Sequence, residues 1–245
     1  MSKAKLKIAP LKEVIFELHW FGSFDTLGTP MDEGFDLAQG IFAIKLKEDY
    51  PLHKKLLPDG APIRIFGGPL HQYWKGEFKW PVIQHGMGLL AINEVETGYE
   101  WEATFKPTVL KTIGMLAASY EDPRKFNKAK LIYVDAWDLD GDDPKNFMEK
   151  NLRTSFASNY PTPGKLKNFN ILQIFELEDG STMQLTIADG INNKNQKPSI
   201  VWTTTVEKKC NLEIEEITEW LEYAHSAASN MFKEMLNPEF YASLD

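Results

Sequence analysis

The sequence predicts an α+β fold in which a curved antiparallel sheet carries long helices packed on one face. Three observations predict it. Short runs of alternating apolar and polar residues recur between glycine-rich turns. Two long stretches place apolar residues at intervals of three and four, the period of an amphipathic helix. And one order of elements (strand, short helix, antiparallel meander, long helix) is readable twice, over 11–125 and again over 126–245. Residues 1–10 precede the first copy as a flexible, lysine-rich arm, and the two halves are expected to share one core.

The first strand covers Val14 to Trp20. Val14, Phe16, Leu18 and Trp20 fall on one face, and Glu13, Ile15, Glu17 and His19 on the other. Such a half-buried strand suits an antiparallel sheet with one open face. A turn-rich stretch from Gly22 to Gly34 follows. A helix is then predicted from about Asp36 to Glu48, ending before Tyr50-Pro51 because proline disfavours helical geometry in its predecessor. Gly40 weakens its start. Pro58-Asp59-Gly60 signals a turn, and from Ile63 to Glu94 the glycines at 67, 68, 76, 86 and 88 space three or four strands of a meander. Val109, Ile113, Leu116 and Tyr120 form the stripe of a helix with Pro107 in its first turn.

The polar stretch 121–129 marks the internal boundary, read as a crossover between copies. Beyond it come a strand at Leu131–Trp137, a helix from about Pro144 to Leu152, and strands at Phe169–Leu177, Thr182–Ala188 and Ile200–Val206. Asp179-Gly180 is the signature of a tight hairpin. The closing helix carries Ile214, Ile217, Leu221, Ala224, Ala228, Met231 and Met235 on one face. In element order alone, the doubled pattern is similar to the saddle of the TATA-binding protein. Helix-grip and hot-dog folds, which also wrap an antiparallel sheet around a long helix, are the alternatives. None of these likenesses carries a function with it.

Composition narrows the class. A 43% hydrophobic and 12% aromatic content predicts a well-packed globular chain. A formal charge of -8 disfavours nucleic acid as a partner, because sequence-independent binding needs lysine and arginine to neutralise phosphates. The lysines at 3, 5 and 7, and those at 45, 47, 54 and 55, read as a frayed terminus and a solvated face. A single cysteine, Cys210, fits a reducing compartment. No secretory or membrane-spanning run is present, so the expectation is a cytoplasmic protein that does not engage membranes.

No catalytic residue is assigned, because no motif of convincing specificity occurs. The sharpest local pattern is Asp138, Asp140 and Asp142 with Glu149 at the twelfth place, the carboxylate spacing of a calcium loop. Asp143 stands where that loop needs glycine, and the competing reading is a polar turn in which Asp143 caps a helix begun by Pro144. The five histidines include no closely spaced pair of the kind a local metal site uses. His225 lies at the edge of the last helix's apolar stripe, where a core histidine with one hydrogen bond is the expected role. Glu17 and His19 share the open face of the first strand, and Asp135 occupies the matching strand of the second half; together they make a candidate acid–base or binding set. Asp135 shares a face with Leu131, Tyr133 and Trp137, so a buried carboxylate serving as a polar anchor is the other reading. Tyr73 and Trp74 belong to an aromatic cluster suited to core packing or to a protein-binding patch. No cofactor is expected.

Several landmarks together resemble a sporadically distributed family of uncharacterised bacterial and archaeal proteins of about this length. They are the opening stretch from Ala9 to Leu18, Asp49-Tyr50-Pro51, the strand from Gly86 to Asn93, Gly98-Tyr99-Glu100-Trp101 leading to Phe105, and Leu221 through His225 to Phe232. The strand at Leu131–Asp135 departs from the family's Arg-Tyr-x-Asn-like pattern, lacking the arginine and carrying Asp for Asn. The resemblance implies no catalytic residue. Its scattered distribution implies a mobile or phage-defence locus. The expected function is therefore a non-catalytic binding or regulatory protein acting through a protein partner, the product of a neighbouring gene, in an accessory or antitoxin-like role. The alternative is a small-molecule sensor or enzyme, for nucleotides or metabolites, with a pocket between sheet and long helices.

Overall fold

The computed structural model describes residues 6–58, 66–154, 164 and 168–245, and shows an α+β chain with a large antiparallel sheet and a few helices. Lys3, Lys5, the Asp59-Gly60 turn and the Ile63 start of the meander lie outside the described residues. No described helix is long and apolar enough to cross a membrane. The chain divides into two compact units, a larger one from Glu13–Leu131 with Glu207–Glu222, and a smaller one from Met1–Lys12, Ile132–Val206 and Tyr223–Asp245.

In the larger unit the strand order is β4 (Leu52–Lys55), β5 (His71–Gly76), β6 (Lys79–Gly86), β7 (Leu89–Val95), β1 (Leu11–Trp20), β8 (Phe126–Asp138) and β11 (Pro198–Leu212). The last two strands, like β1, run on into the smaller unit. β1 alternates as its sequence requires: Val14, Phe16, Leu18 and Trp20 are fully buried, and Phe16 and Leu18 lie opposite Ile92 and Leu90 of β7. Helix α1 (Phe35–Leu46) buries Phe35, Ala38, Phe42 and Leu46, and the Phe42 ring meets Tyr73 and His85 of the sheet. A π-helical turn at Trp101–Phe105 leads into α2 (Lys106–Ala117), with Pro107 in its first turn and Val109, Ile113 and Leu116 buried. Strand β4 was not readable in the sequence: only Leu52 among its four residues is even half-buried, so no apolar alternation announces it.

The smaller unit orders its strands β8, β11, β10 (Thr182–Ile191) and β9 (Asn170–Glu176). Met183, Leu185 and Ile187 of β10 are buried while Thr182 and Gln184 face out, the alternation the sequence predicts. The core gathers Trp202, Ile200, Leu185 and Ile187 from strands, Phe147 and Met148 from α3 (Pro144–Asn151), and Leu236. Phe232 of α4 (Ile214–Met235) stacks on Trp137 at 6.4 Å and tilts against Trp202 at 5.6 Å. A short helix, α5 (Pro238–Ala242), adds the ring of Phe240 against Trp137 and Phe147. Two strands exceed their sequence-based bounds. β8 begins at Phe126, five residues before Leu131, and β11 runs to Leu212; Lys128 and Lys130 on one, and Glu207, Lys208 and Lys209 on the other, hide the continuation by reading as loop.

Candidate functional site

A two-stranded hairpin of β2 (Ser23–Phe24) and β3 (Pro30–Met31) stands on the larger unit and exposes apolar side chains. Phe24 is 56% exposed and Leu27 87%, and Phe21 and Met31 are also exposed. The Phe21 and Phe24 rings pack against each other at 5.0 Å. The tip is ordered by Asp25, whose Oδ1 accepts from the backbone N–H of Leu27 and of Thr29, both at 2.8 Å. Such a side chain substitutes for a backbone partner in a turn. The base is pinned by Gly22 N–H donating to the Met31 carbonyl at 2.8 Å and Ser23 Oγ donating to Glu33 at 2.7 Å.

Beneath the base lies a buried carboxylate that sequence reasoning missed. Asp32 Oδ2 accepts from the Tyr120 hydroxyl at 2.8 Å and from the Gly88 N–H at 3.1 Å. The Arg124 guanidinium sits 3.9 Å from Asp32 Oδ1, stacks 4.3 Å over the Tyr120 ring, and donates to the Glu33 carbonyl. Burial of the phenol, with the adjacent Asp32 charge, pushes the Tyr120 pKa far up. A buried carboxylate is tolerated only when paired in this way. The sequence signal was slight: Asp32 looked like one more acid in a turn-rich stretch.

The candidates drawn from the sequence fall in several places. Glu17 and His19 do meet, His19 Nε2 lying 3.1 Å from Glu17 Oε2. Lys130 approaches Glu17 at 3.5 Å and Glu207 at 3.7 Å, and Lys209 pairs with Glu207 at 3.0 Å. His19, then burial opposing it, then Lys130 act on Glu17, with a net lowering of its pKa. The result is a half-buried face of interleaved charges. Tyr73 and Trp74, adjacent on β5, point to opposite faces of the sheet. Tyr73 accepts from Gln39 at 3.2 Å and stacks on His53 at 4.7 Å. Trp74 Nε1 donates to Gln72 at 3.3 Å, starting a chain in which Gln72 donates to Gln84, Gln84 to Asn93 and Asn93 to Glu13.

In the smaller unit Asp135 is buried, and burial, partly opposed by Lys12, raises its pKa to about 7. His225 Nδ1 lies 2.8 Å from the Tyr133 hydroxyl. Asp138 accepts from Asn192 and Asn195 at 2.9 and 2.6 Å, Asp140 pairs with Lys197 at 2.6 Å, and Glu149 pairs with Lys145 at 3.7 Å. Asp143 accepts from the Asn146 N–H at 3.0 Å, capping α3. Among the described residues no three His, Cys, Asp or Glu side chains are gathered as a metal site requires. An open cleft of about 790 Å³ adjoins this loop, lined by Asp138, Asp140, Phe147, Asn151 and Phe240 among others.

The fold also assembles three histidines that are far apart in sequence. His53 Nε2 is 2.9 Å from His71 Nδ1, and His71 lies opposite His85 across β5 and β6. His85 is fully buried, its ring between Phe35, Phe42 and Trp20, and neither ring nitrogen has a hydrogen-bond partner among the described residues. Burial first, then the neighbouring His71, brings its pKa down to about 3. Burial, followed by His53 and Lys55, brings His71 down to about 4. His71, half-buried, and His85, in the core, are therefore neutral imidazoles at physiological pH, and His53 lies exposed beside them.

Comparison with family models, curated proteins and solved structures finds no match to this chain.

Proposed function

We propose that the chain is a non-catalytic binding protein that docks through the β2–β3 hairpin into a protein partner. The observation that carries this reading is the ordered, exposed apolar tip formed by Phe21, Phe24, Leu27 and Met31. Exposed aromatics held rigid by local hydrogen bonds are the anchors around which protein interfaces concentrate their binding energy. Of the acids from Phe21 to Leu37, Asp32 is buried while Asp25, Glu33 and Asp36 lie at the surface, and the stretch has no lysine or arginine. The partner is therefore one with an apolar cleft and a basic rim. The setting proposed is an accessory or antitoxin-like role beside a neighbouring gene in a mobile or phage-defence locus; its support is the scattered distribution of the family that the sequence resembles. Purified from its native cells, the chain is expected to bring down that neighbour in constant ratio, and a Phe24→Ser, Leu27→Ser variant to lose it. A chain that elutes alone overturns the reading.

A second reading, a sensor or enzyme for a small molecule, is favoured by the cleft near Asp138 and Phe240, whose volume of about 790 Å³ is that of a ligand site. The cleft is lined by the end of β8, its following loop, α3 and α5. A metabolite or nucleotide that raises the melting temperature of the wild-type chain but not of Asn151→Leu supports it.

A further inference from the structure

Among the described residues, strand β9 is paired on one side only. Its partner is β10, with Phe175 opposite Met183, Gln173 opposite Leu185 and Ile171 opposite Ile187, and no other described strand follows it in the sheet. Leu177 N–H donates to the Ser181 carbonyl at 2.8 Å, and Asp189 N–H to the Phe169 carbonyl at 3.4 Å. These bonds identify the odd-numbered residues of β9 as those whose backbone groups face β10. Antiparallel ladders alternate, so the N–H and C=O groups of Asn170, Leu172, Ile174 and Glu176 face outward.

An edge of this kind is ordinarily protected by lysine, proline or a very short strand. β4, the other edge strand, has Lys54 and Lys55 in its four residues. β9 has seven residues and no lysine, arginine or proline. Leu172 is 54% exposed and Ile174 62% exposed.

The order of residues in β9 indicates its partner. A two-fold axis at Gln173 sets Leu172 opposite Ile174, Ile171 opposite Phe175, and Asn170 opposite Glu176. Every apolar residue meets an apolar one, and the outward backbone groups face each other as the ladder requires. Moving the axis to Leu172 sets Asn170 against Ile174 and Ile171 against Gln173. Moving it to Ile174 sets Leu172 against Glu176 and Gln173 against Phe175. Axes between residues pair outward groups with inward ones and form no ladder. One register is self-complementary, as an isologous interface must be.

We propose that β9 is a homodimerisation edge, to which a second copy of this chain adds its own β9 antiparallel across a two-fold axis at Gln173. The surface belongs to the smaller unit and the proposal does not depend on the partner proposed for the hairpin.

In this register Gln173 forms a non-hydrogen-bonded pair with its own copy, with Cα atoms roughly 4.5 Å apart. That spacing lies inside the range a disulfide bridges. The test is light scattering on the full chain, together with oxidation of Gln173→Cys and Asn170→Cys, each in a Cys210→Ser background. The expected results are twice the chain mass for the wild type, rapid covalent dimerisation at position 173 and none at 170. Ile174→Lys, which puts a charge at the seam, is expected to give the monomer mass with an unchanged far-ultraviolet spectrum. A wild-type monomer at the highest soluble concentration overturns the proposal, and so does cross-linking at 170 but not 173. A dimer that persists in Ile174→Lys also overturns it, since that dimer uses another surface.

Discussion

The Tyr120 hydroxyl donates to Asp32 Oδ2 at 2.8 Å, joining the turn after α2 to the base of the exposed hairpin. Asp32 is 8% exposed, so the bond is made where water cannot readily replace it. Tyr120→Phe keeps the ring beneath Arg124 and removes only the donor. A hydrogen bond to a charged group is worth about 1.5 to 3 kcal/mol, and urea unfolding is expected to show a loss of that order. Limited proteolysis is expected to cut first within the hairpin of this variant.

The neutral His71 and His85 predict an acid-sensitive larger unit. His71 and His85 have folded pKa values of about 4 and about 3, against an ordinary value of 6.5. A histidine with a depressed folded pKa stays neutral in the native chain while its unfolded form protonates. Stability is therefore full above pH 6.5 and is lost as pH falls from there toward the folded values. Each such site costs about 1.4 kcal/mol per pH unit over that window. Denaturant melts between neutral pH and pH near 4.5 are expected to show this fall, with His85→Leu shallower by about one proton.

Asp135 predicts the opposite slope. Its pKa is raised from 3.8 to about 7 by burial, so the native chain keeps a proton that the unfolded chain releases. The contribution is full below pH 3.8 and is lost as pH rises through about 7. Asp135→Asn removes the ionisable group at nearly constant shape. It is expected to gain stability relative to the wild type at pH 8 and to show little gain at pH 4, read by chemical denaturation at each pH.

Two glycines separate a backbone requirement from an incidental choice. A Cβ on Gly86 would lie 1.9 Å from the Gly68 carbonyl oxygen, a backbone atom that cannot swing aside. Gly40, inside α1, has nothing within 4 Å of such a Cβ. Gly40→Ala is expected to stabilise by about 0.5 to 1 kcal/mol through helix propensity and chain entropy. Gly86→Ala is expected to lower the melting temperature or prevent folding. Thermal melts of the two variants side by side check the contrast.

What the sequence made legible follows from period and local chemistry. β1 and β10 announced themselves because Phe16–Trp20 and Met183–Ile187 alternate, and Asp143-Pro144 is a helix start by capping alone. β4 and the beginning of β8 were hidden because edge and surface positions tolerate lysine at any phase. The histidine set was invisible for a different reason: His71 and His85 meet only once β5 and β6 take their register. Phe24 and Leu27 lay within a stretch legible as turns, yet sequence alone does not tell an exposed phenylalanine from a buried one. Asp32 was obscured likewise, since its partners are 56 and 88 residues away.

The most direct test of the account is the affinity of the purified chain for the purified product of its neighbouring gene, measured by calorimetry for wild type and Phe24→Ser. An anchor residue in an interface core carries about 2 kcal/mol or more, so the variant is expected to bind more than about tenfold more weakly, with an unchanged melting temperature. The wild-type affinity is also expected to fall as salt is raised, because the acidic hairpin meets a basic rim. Equal affinity for the two chains, or no heat with either, contradicts the hairpin-docking account.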